Sequence, residues 1–306
     1  MTFHTLINGR TENGITVKDR GLAYGDGLFE TFRVLQGQSW LFDRHWQRLS
    51  RSAGRLGIPL PFSRDQLQRY ITKVVSGQNG IAKLILTRGE GGRGYRSLDL
   101  MSSSWVLQGM ALPLAEIDHY QTGVDVRCCH LRLAEQPFLA GMKHLNRLEQ
   151  VMARAEWQDE VFEGLMFSRN AHLIEATMAN IFLVKDGQLL TPKLDLCGVQ
   201  GVMRDAIIDS LDGLSSDCFV ASTSMPLSSS KDRASKICCH VIDLTENDLI
   251  AAEAVFICNS VRGVIPVKSF RQDSGELIKQ WPSAHDPLVQ RLSHYFHPKL
   301  QLPCSE

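Results

Sequence analysis

The chain has 306 residues, 43% of them hydrophobic and 22% charged, and its 33 basic and 33 acidic side chains cancel to a formal charge of zero. This length calls for one large or two modest domains, and the balanced charge leaves no basic excess to draw nucleic acid or an anionic membrane. No apolar run approaches the ~18 residues of a membrane span, residues 1–13 lack the layout of a signal peptide, and eight cysteines without a C-x-x-C pair favour a reducing cytoplasm and speak against a structural metal.

In chain order, residues 3–8 alternate weakly and turn at Asn8-Gly9, a hairpin signal. Residues 28–35 read as a strand and Trp40-Leu41-Phe42 as a short one. A helix follows with Asp43 as its N-cap, carrying Trp46, Leu49, Ala53 and Leu56 on one face. Residues 65–76 suggest another helix, and Ile81 to Thr87 and Trp105 to Ala111 are apolar strands. Pro113 to Gly123 lacks periodicity and reads as a linker, dividing the chain into residues 1–112, a linker at 113–122 and residues 123–306. Val124 to Leu133 looks extended. Leu145, Leu148, Met152 and Ala155 share a helix face that runs to about Trp157. Gly164 to Phe167, Asn180 to Val184 and Gln188 to Leu190 read as strands, the last two joined at Asp186-Gly187. A helix from about Met203 to Leu211, a buried strand at Val255 to Cys258 and a closing helix at Asp286 to Phe296 complete the chain. Without a clean β-α-β alternation, the pattern indicates an α+β fold.

Four phrases could carry chemistry. Lys143 lies in Gly141-Met142-Lys143-His144-Leu145-Asn146-Arg147-Leu148-Glu149 at the mouth of a helix. Alone it reads as a surface lysine; a nucleophilic role needs burial or a neighbouring cation to lower its pKa. Glu175 sits among small and apolar residues in Leu173-Ile174-Glu175-Ala176-Thr177. A carboxylate there needs a partner, either a structural cation or a protonated ring nitrogen. Cys197-Gly198-Val199-Gln200-Gly201-Val202-Met203-Arg204 opens a helix whose free amides suit a phosphate, although a plain glycine helix start is the commoner meaning. Gly89-Glu90-Gly91-Gly92-Arg93-Gly94 matches the dinucleotide pattern, but no long helix follows to receive a pyrophosphate. An arginine-bearing loop is the better description, and Arg93 could clamp a carboxylate.

Together these phrases resemble the aminodeoxychorismate lyases, fold type IV pyridoxal 5'-phosphate (PLP) enzymes related to the branched-chain and D-amino acid transaminases. The resemblance runs from Leu6-Ile7-Asn8-Gly9 to Val264-Ile265-Pro266-Val267. It implies a small N-terminal α/β domain and a larger C-terminal cofactor-binding domain, a D-amino acid aminotransferase-like fold, and a homodimer with its site near the interface. It implies that Lys143 carries the cofactor as a Schiff base, that Glu175 faces the pyridine nitrogen, and that Arg48, the amides of Val202 and Met203, and Ser260 hold the phosphate. Arg93 and Tyr95 match a loop that contacts substrate across the dimer interface in D-amino acid transaminases. Thr31, where branched-chain transaminases usually carry glycine, matches the threonine that lyases use for proton transfer. Gln200 departs from the apolar residue common in transaminases. The substrate implied is 4-amino-4-deoxychorismate, cleaved to 4-aminobenzoate and pyruvate in folate biosynthesis, with a branched-chain or D-amino acid transaminase as the alternative.

Overall fold

The computed structural model describes residues 2–11, 14–92, 94–97, 102–113, 117–213 and 237–297. The chain opens with β1 (Thr5–Ile7), a one-turn helix α1 (Arg20–Tyr24) and the long strand β2 (Gly27–Leu35), joined by a tight turn to β3 (Gln38–Ser39). Helices α2 (Phe42–Leu56) and α3 (Arg64–Val74) follow, then β4 (Gly80–Thr87) and β5 (Ser104–Met110). These strands form a five-stranded sheet in the order β1-β5-β4-β2-β3, antiparallel throughout. Successive side chains of a strand point to opposite faces. Leu28, Phe32 and Val34 of β2 therefore enter one core with Leu49 and Ala53 of α2 and Leu67 and Ile71 of α3, while Phe29 and Thr31 point to the other face and are only half-buried.

A short helix α4 (Ile117–Gln121) leads into β6 (Val124–Leu133), then α5 (Leu148–Arg154), β7 (Glu163–Ser168), β8 (Leu173–Ala176), β9 (Asn180–Lys185) and β10 (Gln188–Pro192). Next come α6 (Val202–Gly213), β11 (Cys239–Ile242), α7 (Glu246–Ala251), β12 (Ala254–Asn259), β13 (Gly263–Arg271), β14 (Leu277–Gln280) and α8 (Pro287–Tyr295). They build a nine-stranded sheet, β11-β10-β9-β12-β13-β6-β7-β8 with β14 beside β13. Its middle strands bury both faces. Ile181, Leu183, Val255 and Ile257 pack on one side; Phe182, Val184, Phe256 and Cys258 pack on the other with Met203 and Ile207 of α6. The whole is an α+β fold of two sheets with flanking helices.

Several sequence expectations need correction. Trp40-Leu41-Phe42 is not a strand: β3 ends at Ser39, Leu41 takes a left-handed conformation with φ 55°, and Phe42 begins α2. Asp43 is not the N-cap, since Leu41 holds that position without a side-chain bond. Asp43 instead lies in the first turn, where a negative charge suits the helix dipole, and pairs with Arg64. The helix after Lys143 ends at Arg154 rather than near Trp157, and its apolar face is outside: Leu148 is 74% and Met152 61% exposed. Helical spacing of apolar residues marks a face that avoids water; it does not say whether the cover comes from the same chain.

Candidate active site

The site is assembled where residues 141–145 run between the two sheets. The amide of Phe29 donates to the carbonyl of Lys143 at 2.9 Å and that of Leu145 to Gly27 at 3.0 Å, laying this segment along β2. On its other side Gly141 exchanges bonds with the turn before α6: its amide donates to Gly198 at 2.9 Å, and Gln200 donates to its carbonyl at 3.1 Å. Met142 is buried in the core of the small sheet. The segment carrying Lys143 is thus held at four main-chain points, and the lysine Nζ lies 4.3 Å from the centroid of the Phe29 ring. Burial, with the charge of Arg48 second, lowers its pKa to about 8. Relative to an ordinary lysine this raises the neutral amine fraction near pH 7 on the order of a few hundredfold.

Glu175, on β8, is 4% exposed. Its Oε2 accepts from the Val199 amide at 2.8 Å and its Oε1 from Gln150 Nε2 at 3.4 Å. Because Val199 bridges to Gly141, the acid and the lysine are tied to one backbone frame. Burial raises the Glu175 pKa, against the pull of Val199, Arg147 and Lys143. Near it, Arg147 Nε and Gln150 Oε1 are buried without a partner among the described residues.

Arg48 projects from α2 beneath β2. It donates to Glu30 through Nε at 2.8 Å and Nη2 at 2.6 Å, and to the Gln200 carbonyl through Nη1 at 3.0 Å. One N–H on each terminal nitrogen is left over. Glu30 also accepts from His45 Nδ1 at 2.6 Å. Burial would raise the Glu30 carboxyl, but Arg48 and His45 override it and hold it at about 2. Burial lowers His45, which therefore stays neutral near pH 7. Glu30 and His45, unlike Arg48, were not among the residues expected at the site. The available signal was a charged residue in the apolar series Leu28, Glu30, Phe32 and Val34, which a buried strand face tolerates only with a counterion.

At α6 the first intrahelical bond runs from the Asp205 amide to Gly201. The amides of Val202 and Met203 precede it and belong to the open end of the helix. Glycine is required at 201, since a Cβ there would sit 1.9 Å from Asn180 Oδ1. Ser260 follows β12, and its Oγ donates to the Thr31 carbonyl at 3.1 Å, so Ser260 and Thr31 are neighbours across the two sheets. Tyr95 is 87% exposed; its ring meets Tyr24 edge-on with centroids 5.5 Å apart, and its carbonyl accepts from Arg20 at 2.9 Å. Arg93 lies outside the described residues. Lys143, Glu175, Arg48, Thr31, Ser260 and the start of α6 are therefore linked by bonds across the sheet junction, whereas Tyr95 stands apart on a surface loop.

Such a set suits an aldehyde cofactor with a ring nitrogen and a phosphate. It offers one depressed amine, one buried acid, a helix terminus with free amides and an arginine with spare donors. Among the described residues no helix is long and apolar enough to cross a membrane.

Residues 27–220 match the family model described as amino-transferase class IV. The aminodeoxychorismate lyase of Vibrio harveyi is 33% identical over 262 residues, covering 85% of this chain and 89% of that one. The crystal structure of 4-amino-4-deoxychorismate lyase from Pseudomonas aeruginosa superposes with a TM-score of 0.82 at 38% identity, covering 97% of this chain and 99% of that one. The branched-chain amino acid aminotransferase from Escherichia coli shares the fold, with a TM-score of 0.75 at 21% identity and coverage of 97% and 93%.

Proposed function

The chain belongs to the amino-transferase class IV family, and from that premise we propose that it is a PLP-dependent lyase cleaving 4-amino-4-deoxychorismate to 4-aminobenzoate and pyruvate. The observation that carries this reading is the shared frame of Lys143 and Glu175 beside Thr31, in a chain whose lyase relatives match it over most of its length. Lys143 would bind the cofactor aldehyde, Glu175 would face its ring nitrogen, and Arg48, the Val202 and Met203 amides and Ser260 would hold its phosphate. When bound, the cofactor supplies a ring that accepts the electron pair left as a proton leaves the amine-bearing carbon.

The protein's own groups do the rest. The Lys143 amine, neutral more often than a free lysine because it is desolvated, takes that proton. Phe29 covers the amine on one side. Loss of the ether oxygen from the adjacent carbon makes the substrate ring aromatic, and the Thr31 hydroxyl delivers a proton to the departing enolpyruvyl group. Aromatisation drives the reaction downhill, so orientation is the main task left to the protein. Arg93 and Tyr95 would take a substrate carboxylate.

The same reading includes a small domain at 1–112, a linker at 113–122, a large domain at 123–306, a cytoplasmic location and a homodimer. The exposed Phe138, Leu148, Val151, Met152 and Met178 support the dimer, as apolar surface that a second copy would cover. The test is a coupled assay of 4-aminobenzoate and pyruvate release from aminodeoxychorismate, run beside a panel of keto-acid aminations. Equal amounts of both products are expected. Turnover confined to the panel would replace the lyase with a transaminase.

A further inference from the structure

Strand β2 presents Phe29, Thr31 and Arg33 on alternate positions. Arg33 is 5% exposed and has no acidic partner among the described residues. Its Nη1 donates to the Val261 carbonyl at 2.9 Å, and its Nε is buried without an acceptor. The titratable groups acting on it are Tyr120 and His297, neither of which neutralises it near pH 7. A buried cation without a counterion is costly, and an apolar residue of similar volume usually serves packing as well or better. The charge at position 33 therefore needs a purpose beyond filling space.

Its target supplies one. The turn between β12 and β13 is braced internally, with Asn259 Oδ1 accepting from the amides of Val261 at 3.0 Å and Arg262 at 2.8 Å. Its side chain also reaches Met178, whose carbonyl accepts from Asn259 Nδ2 at 3.3 Å. This turn meets β2 at two points: Ser260 Oγ on the Thr31 carbonyl at 3.1 Å, and the Val261 carbonyl on Arg33. One attachment is on the carbonyl of Thr31 itself and the other on the Arg33 side chain two residues further along β2.

We propose that Arg33 is a positioning residue for the cleavage step, holding the Asn259–Arg262 turn on β2 so that the Thr31 hydroxyl keeps its aim. The inference rests on the lyase reading and deepens it. Arg33 acts through the Val261 carbonyl, touching neither Lys143 nor Glu175, so it governs proton delivery to the leaving group more than cofactor attachment.

The test uses the holoenzyme with Arg33→Met and Arg33→Lys. Cofactor content by visible absorbance, and kcat and KM for pyruvate release, are measured together. Arg33→Met is expected to keep its cofactor and a KM within about twofold, while kcat falls about tenfold, a single tenfold step in the barrier. Arg33→Lys retains one donor toward Val261 and should recover much of that loss. If Arg33→Met does not fold, Arg33→Lys and Asn259→Ala, which removes the internal brace of the turn, form a double-mutant cycle on kcat. Losses that fail to add support one shared turn, and additive losses overturn it. Cofactor lost in step with activity, a rise in KM alone, or wild-type kcat in Arg33→Met would each overturn the inference. A wild-type enzyme that releases no pyruvate overturns the lyase reading and this inference with it, whereas an unaffected variant overturns this inference alone.

Discussion

The surroundings of Lys143 and those of Tyr95 are built on opposite plans. Around Lys143, main-chain bonds run to Gly27, Phe29, Gly198 and Gln200 within a short segment, and the nearby ion pair of Arg48 and Glu30 is 6% and 1% exposed. Around Tyr95, the loop is tethered by Arg20, whose Nη1 and Nη2 donate to Gly94 and Tyr95 carbonyls at 3.0 and 2.9 Å, and the phenol ring itself stands in solvent. The first arrangement fixes atoms that must meet a cofactor of constant shape. The second leaves side chains free to meet a substrate, or a second subunit. Rigidity is concentrated where the ligand does not vary.

The largest expected effect comes from removing the centre of the rigid part. Lys143→Ala should lose the visible cofactor absorbance and reduce turnover on the order of a thousandfold or more; a retained band after dialysis would break the comparison. Next is Glu30→Gln, which leaves the Arg48 charge buried without its counterion and should destabilise the fold by about 3–5 kcal/mol. Urea unfolding of the cofactor-free protein measures it, and a change below ~1 kcal/mol would show that the pair is not a support.

The third test sharpens the electrostatics. An amine must be neutral to attack an aldehyde, and Lys143 loses its proton near pH 8. The rate of cofactor reattachment to the cofactor-free protein should rise about tenfold per pH unit below that value and level off above it. A rise continuing to pH 10 would mean that the amine is solvated like any other. The smallest effect belongs to the loose part. Arg20→Met releases the Gly94 and Tyr95 carbonyls and breaks the ion pair with Asp26, which keeps Arg88 as its partner; it should raise KM a few-fold while cofactor absorbance stays constant, since a hydrogen bond to a charged group contributes about 1.5–3 kcal/mol and an exposed loop relaxes. Loss of cofactor in this variant would erase the distinction between the two regions.

The parts of the fold legible in the sequence are those whose pattern is complete within one segment. The Asp186-Gly187 turn lies between β9 and β10 because both residues take positive φ, 51° and 69°, and the apolar run of β12 is buried on both faces. The start of α2 was hidden because Leu41 takes a left-handed conformation without the glycine or asparagine that usually marks one. The exposure of Leu148 and Met152 was hidden because periodicity reports amphipathicity alone. In the site, Lys143 and Glu175 could be singled out from their phrases and Arg48 from the family resemblance, but what holds them could not. Glu30 lies 18 residues from Arg48 and Val199 24 from Glu175, so these pairs exist only after the sheets are formed.

Met142 sits in the half of the chain that builds the large sheet, yet its side chain is 1% exposed within the small sheet's core. It acts as a dowel through the joint. Parting the sheets would pull a thioether out of oil, which costs about 1.5–3 kcal/mol, besides the hydrogen bonds on either side. Hinge opening at this seam should therefore be rare, and the amide proton of Leu145, bonded across it to Gly27, should exchange with solvent among the slowest in the molecule.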